Sequence, residues 1–226
     1  SGVKEETITV VGNGGACVGG GHADVIKKGQ RVITKSAVAA MGYDLPAAIG
    51  AGTASRDSRC YSQGRDRSGE ELILVTGDGS IQMNLQELQT IIHHKMGIKI
   101  FLINNGGYHS IRQTQKNFFG EPLIGIGVDS GDLSCPDMEK LAGAYGYPYI
   151  KAEHNSELAK AVEQTLAVEG PVICEIFVSM DQNFEPKSSA KRLPDGTLVS
   201  SPLEDLAPFL PEEEMDRNMI IPRIRE

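Results

Sequence analysis

What this chain lacks narrows its class before any motif is considered. No stretch approaches the roughly 20 consecutive apolar residues of a membrane-spanning helix, and the N-terminus carries no apolar core of the signal-peptide kind. There is no long basic run and the formal net charge is −8, which argues against a nucleic-acid or anionic-membrane surface. The cysteines, Cys17, Cys60, Cys135 and Cys174, lie far apart and form no Cys-x-x-Cys pair. They are expected to be buried or incidental thiols in a reducing compartment, so the expected location is the cytoplasm. Internal repeats and low-complexity tracts are also missing.

What is present is globular material. The chain has 226 residues, 40% hydrophobic and 23% charged, with 26 glycines, enough for one domain with a sizeable core and an appendage. It opens on Ser1-Gly2 rather than Met, so a piece of a longer protein is expected.

Strands and helices alternate along the first 183 residues. Residues 7–11 and 31–34 read as strands, with the loop Gly12-Asn13-Gly14-Gly15 after the first. Residues 44–55, rich in Ala and Gly and apolar all round, suggest a tightly buried helix. Residues 56–71 are polar and read as a long exposed loop. Leu72-Ile73-Leu74-Val75 and 98–103 are apolar strands. Between them Ile81, Leu85, Leu88, Ile91 and Ile92 repeat at helical spacing. Helices are expected over 108–117, 137–145 and 156–168, and a last strand over 171–178. This order predicts an α/β domain, a doubly wound and mainly parallel sheet with helices on both faces. From residue 184 the texture changes: six of the eleven prolines fall between Pro186 and Pro222, and Pro194-Asp195-Gly196 marks a turn between short extended pieces. Residues 184–226 are expected to be an extended tail packed on the domain or on a neighbouring subunit.

The chemistry is expected where two apolar strands end. One stops at Gly77-Asp78-Gly79-Ser80, the other at Asn104-Asn105. Ligands of open parallel sheets sit outside the carboxyl ends of the strands. Asp78 offers a carboxylate and Asn105 an amide oxygen, hard donors suited to Mg²⁺ or Ca²⁺, and a magnesium ion there could hold a diphosphate.

Together these motifs resemble the magnesium–diphosphate signature of thiamine diphosphate-dependent enzymes, in particular the C-terminal cofactor domain of the acetolactate synthase and pyruvate decarboxylase group. The similarity extends over residues 5–180 and includes Met41-Gly42-Tyr43-Asp44-Leu45-Pro46-Ala47-Ala48-Ile49-Gly50-Ala51 and the stretch from Gly77 to Leu88. The resemblance implies thiamine diphosphate and Mg²⁺ as cofactors. Asp78, the Asn105 side chain and the Gly107 carbonyl would be the metal ligands. Gly79 and Ser80, after Gly77, would donate to the diphosphate at a helix N-terminus, and the Asn13, Gly14 and Gly15 loop would approach it from the first strand. Met41 would prop the cofactor in its bent form. The Met41 N–H and the Ala39 carbonyl would meet the pyrimidine edge, although the family's usual residue at the Ala39 position is glycine. Tyr108 joins the cofactor-binding set.

The resemblance also implies a gap. The glutamate that activates the pyrimidine in this family belongs to another, normally N-terminal, pyrimidine-binding domain and to a partner subunit. The chain is therefore expected to be half an active site and inactive alone. A piece cut from a longer polypeptide is the first explanation, a naturally split two-subunit enzyme the second. A homodimer or tetramer is implied, with a 2-oxo acid as substrate. Residues 108–114 should face the reacting carbon. Ile111 is apolar where simple pyruvate decarboxylases carry an acid, which suits a carboligase. Acetolactate synthases often have tryptophan near Thr114, and this chain has none, so the acceptor could differ. His109 is expected to be exposed or structural, with acid/base work as the alternative; no catalytic residue is assigned. His93 and His94 read as surface residues. The expected function is a decarboxylase/carboligase of the acetolactate synthase type. The alternatives are a non-ligating decarboxylase or C–C lyase, and a module that binds the cofactor without turnover. A nucleotide-dependent dehydrogenase is disfavoured, because Gly12-Asn13-Gly14-Gly15-Ala16-Cys17 lacks the third glycine of its fingerprint.

Overall fold

The computed structural model describes residues 3–4, 6–56 and 71–223, without the side chains of 16–18. The expected exposed loop, except for its two ends, lies outside the described residues. The chain divides into two compact units, Ser1–Gln182 and Asn183–Glu226.

The first unit is built on six parallel strands: β1 (Ile8–Val11), β2 (Arg31–Ile33), β3 (Leu72–Gly77), β4 (Ile98–Asn104), β5 (Tyr149–Ala152) and β6 (Val172–Phe177). Their spatial order is β2-β1-β3-β4-β6-β5. Both faces of the sheet are covered, so the central strands are near-continuous apolar runs rather than alternating ones. On one face Val10, Leu74, Ile100, Leu102 and Ile173 meet the buried side chains of three helices. Those helices are α2 (Asp44–Arg56), α4 (Glu87–His93) and α6 (Met138–Tyr145). On the other face Ile73, Phe101 and Cys174 meet Ala161 of α7 (Asn155–Ala167). The sheet is thus doubly wound, as its alternating elements require. Among the described residues no helix is long and apolar enough to cross a membrane.

Three elements differ from expectation. Residues 12–15 do not end in a plain loop: Gly15–Ala23 forms a helix, α1, although four of its nine residues are glycine. Such a composition is a poor helix former, so nothing local announces it. The helix expected around Ile81–Ile92 is broken into α3 (Asp78–Ile81), a 3₁₀ turn (Gln82–Asn84) and α4. Helix α2 is not buried all round; only Asp44, Leu45 and Ala48 are buried, because short Ala and Gly side chains fit a sheet without requiring cover on their far side. Among the described residues of this unit the remaining helix is α5 (His109–Phe118).

The second unit is small. Strands β7 (Ala190–Arg192) and β8 (Leu198–Ser200) pair as an antiparallel hairpin, with the Asp195 carboxylate accepting the Thr197 N–H at its turn. Asp205 is buried against the ammonium of Lys191, which also lies 4.4 Å over the Phe209 ring. Helix α8 (Glu212–Asn218) follows.

Candidate functional site

Strands β2 and β3 lie on opposite sides of β1, so the strand order reverses there, and a crevice opens at the carboxyl ends. The chain leaves β1 at Gly12-Asn13, β3 at Gly77-Asp78 and β4 at Asn104-Asn105. A cleft of about 430 Å³, partly open to solvent, sits over these ends. It is lined from β1 by Asn13, Gly14 and Gly15, from β3 by Gly77, Asp78, Gly79 and Ser80, and from β4 by Asn105, Gly107 and Tyr108. Met41, His109, Ser110 and Ile111 complete the wall. Ala39 does not line it; that residue is exposed and held at a φ of 51°. A left-handed backbone there explains why glycine suits the position better.

Asp78 is the anionic centre. It is only 4% exposed. Its Oδ1 accepts the Gly79 N–H at 2.9 Å and its Oδ2 the Gly107 N–H at 2.7 Å, which ties the β3 end to the β4 end. Burial pushes its carboxyl above the ordinary aspartate value, and the two backbone hydrogen bonds pull against that. The Cys135 thiol donates to Asp78 Oδ2 at 3.6 Å and is itself pushed up to about 11 by burial and by the carboxylate. Ser80 accepts the Gly42 N–H at 2.8 Å on its hydroxyl oxygen, so its own O–H hydrogen stays available to donate. That bond also sets the Met41-Gly42 segment beside the β3 end. The Tyr108 ring lies so close to Gly79 that a Cβ there would meet it at 2.5 Å.

Two buried oxygens on the cleft wall have no protein partner: Oδ1 of Asn105, a residue 8% exposed, and Oδ1 of Asn13, 3% exposed. The Asn13 amide nitrogen donates to the Ala40 carbonyl at 2.7 Å, which fixes which way the amide is turned. An anion in the cleft finds backbone N–H groups at the start of α1, at Ser80, and at the start of α5, where helix dipoles favour negative charge.

His109 is not exposed. It is 4% exposed, and its Nδ1 lies 3.3 Å from Arg112 Nη1. Of the segment expected to face the reacting carbon, Tyr108 to Ile111 line the cleft. Arg112 and Gln113 are buried, and Thr114 is exposed with its hydroxyl on the Ser110 carbonyl. Arg112 instead donates to the carbonyls of Asn105 and Gly106 and pairs with Asp129, whose carboxyl it holds below the usual range. No spacing in the sequence links Arg112 to Asp129. A second unforeseen support comes from the sheet. Glu175 on β6 accepts from Tyr149 on β5 and from the Asn104 amide at 2.7 Å, and Asn104 Oδ1 accepts the Gly106 N–H at 3.0 Å. His93, the last residue of α4, and His94 just after it are exposed and do not line this cleft.

A model of the thiamine pyrophosphate enzyme family, for its C-terminal TPP binding domain, matches residues 8–176, from β1 into β6. The chain belongs to this family. As a thiamine diphosphate-binding domain it is similar to acetolactate synthase large subunits. It is 34% identical to that of Cyanidium caldarium over 154 residues, 68% of this chain and 24% of the relative. It is 33% identical to that of Porphyra purpurea over 159 residues, 70% and 24% of the two chains. The chloroplastic acetolactate synthase 2 of Nicotiana tabacum is 30% identical over 163 residues, 71% and 23%. The chain thus spans about a quarter of the length of the curated relatives it matches.

The family's cofactor is thiamine diphosphate, with Mg²⁺ as its usual metal, and the residues present fit both. Among the described residues no group of three His, Cys, Asp or Glu side chains could hold a metal. The thiamine diphosphate-binding domain instead presents one carboxylate, a buried amide oxygen without a partner and a glycine carbonyl. All are hard oxygen donors, and such a set suits an ion that takes few protein ligands and completes its shell with phosphate oxygens and water.

Proposed function

We propose that this domain is the cofactor-binding half of a thiamine diphosphate-dependent 2-oxo acid decarboxylase and carboligase of the acetolactate synthase type. The observation that carries it is the partnerless Asn105 Oδ1 buried beside Asp78 at the strand ends. Asp78, Asn105 Oδ1 and the Gly107 carbonyl hold Mg²⁺. The Ser80 N–H and hydroxyl and the amides of Gly14 and Gly15 would bind the diphosphate oxygens, with the Gly79 N–H held on Asp78. Met41, against the β3 end, sets the cofactor's bend. When bound, thiamine diphosphate would supply the nucleophilic carbon and the electron sink that decarboxylation of a 2-oxo acid requires. Ile111, apolar and 45% exposed on the cleft wall, offers that carbon no proton, which favours transfer to an acceptor carbonyl over release of aldehyde. The activating glutamate comes from a pyrimidine-binding domain, in the same polypeptide or a partner subunit, within a homo-oligomer.

Asp78→Ala tests the metal site: Mg²⁺-dependent binding of thiamine diphosphate, followed by calorimetry, should disappear, and unchanged affinity overturns the assignment. In the full-length enzyme, pyruvate should yield a ligated product. Free aldehyde as the main product would assign simple decarboxylation instead.

A further inference from the structure

Arg112 is the bulkiest fully buried side chain among the described residues, 1% exposed. A guanidinium carries five N–H hydrogens. Here Nε lies 2.8 Å from Asp129 Oδ2 and Nη2 3.0 Å from Asp129 Oδ1. Nη2 also donates to the Gly106 carbonyl at 2.9 Å. Nη1 donates to the Asn105 carbonyl at 3.1 Å and faces His109 Nδ1 at 3.3 Å. The fork fits because residue 127 is glycine: a Cβ there would lie 2.8 Å from Arg112 Nη2 and 2.0 Å from the Gly106 oxygen.

The turn it grips has little rigidity of its own. Gly106 and Gly107 are consecutive glycines at φ 71° and 127°, and neither has a side chain that could fix the peptide planes. Of three successive carbonyls, those of residues 105 and 106 are committed to Arg112. The third, of Gly107, accepts the His109 N–H at 3.2 Å and, among the described residues, no other backbone donor. A guanidinium close to a metal site repels the metal. Asp129, bidentate on the far side of the fork, offsets that charge.

We propose that Arg112 is a positioning residue for the metal–diphosphate turn. It takes up the carbonyls of Asn105 and Gly106, so that the Asn105 side chain and the Gly107 carbonyl remain for the cation, and Asp129 neutralises it so that a second positive charge can be held nearby. The proposal rests on the metal assignment of Asp78, Asn105 and Gly107. Lysine cannot replace the fork, since one ammonium with three hydrogens cannot span both carbonyls and both carboxylate oxygens.

Two measurements on the full chain test it, with Arg112→Lys and Asp129→Asn against the exposed Lys116→Gln as control. The first uses no ligand. Hydrogen exchange is followed at the amides of Gly107 and Tyr108, which donate to Asp78 Oδ2 and to the Ile126 carbonyl. Arg112→Lys should speed both by about tenfold or more, while Leu74 and Ile100 in the core strands stay within about twofold. No change at 107–108, or equal acceleration in the core strands, overturns the proposal, the latter because it marks a general stability role. The second measures the Mg²⁺ concentration for half-maximal thiamine diphosphate binding. Arg112→Lys and Asp129→Asn should raise it about tenfold or more and Lys116→Gln should leave it unchanged. An unchanged requirement in Arg112→Lys overturns the proposal. If the unsubstituted chain binds no thiamine diphosphate with Mg²⁺, the metal assignment fails, and the exchange data still decide whether Arg112 orders the turn.

Discussion

Gly107→Ala puts the geometry of the β4 end to a direct test. Gly107 sits at φ 127°, outside the left-handed region where Asn or Asp is sometimes tolerated, and a Cβ there would lie 2.1 Å from the Ile126 carbonyl oxygen and 2.8 Å from Gly127 Cα. Those neighbours are backbone, so no side-chain rotation relieves the contact. Strain at such a position costs about 1–3 kcal/mol. Moving Ile126 away breaks its carbonyl's 2.7 Å bond with the Tyr108 N–H, and shifting residue 107 breaks the 2.7 Å bond from its N–H to Asp78. A neutral hydrogen bond contributes about 0.5–1.5 kcal/mol and one to a charged group about 1.5–3. At the low end of each range the loss is about 3 kcal/mol, which for a chain of this length lowers the melting temperature by about 6–12 °C. Gly120→Ala is the control: φ is 75° but nothing lies within 4 Å of its Cβ, so the loss is the left-handed conformation alone, about 1 kcal/mol. Thermal melts followed by circular dichroism compare the two. A Gly107→Ala melt within about 2 °C of Gly120→Ala would refute the close approach of the two turns.

Other perturbations separate binding from stability. In Gly79→Ala the new methyl meets only the Tyr108 ring, which can swing aside. Its melting temperature should stay within about 4 °C of the parent, while Mg²⁺-dependent thiamine diphosphate binding, measured by calorimetry, is lost. Asp129→Asn should change the acid limb of stability. Arg112 lowers the Asp129 carboxyl in the folded state, so the unfolded chain binds the proton more readily and stability falls as pH drops from the ordinary aspartate value through the lowered one. The variant should unfold less steeply across that window in urea titrations at successive pH values; an unchanged slope would show that the pair contributes nothing there.

The strand ends were legible because their physics is local. Leu72–Val75 and, apart from Lys99, Ile98–Ile103 are apolar on both faces, as strands covered on both sides must be, and the glycine-flanked Asp78 and Asn105 beyond them mark the crevice. What escaped depends on contacts distant in sequence. Arg112 lies in a segment expected to face substrate, and its burial follows from Asp129 and from the missing side chain at Gly127, neither of which helical spacing discloses. His109 was expected to be exposed or structural, and the buried Arg112 beside it decides for the second. Helix α1 was hidden by its own glycines. Asn13 was recognised as part of the site, but the direction of its amide is set by the Ala40 carbonyl, a contact that no motif describes. The glutamate–asparagine support under Gly106 joins three strands and needs the sheet order to be seen.

A cation site with a single carboxylate has a consequence for selectivity between metals in the cell. Affinity for divalent ions on nitrogen- and sulfur-rich sites climbs steeply toward copper and zinc. Among the described residues no group of three His, Cys, Asp or Glu side chains stands ready to hold a metal. On its own such a site has little power to scavenge ions. Under the proposed assignment most of the negative charge arrives with the diphosphate, so metal and cofactor load together, and an empty domain stays unpoisoned until both are at hand.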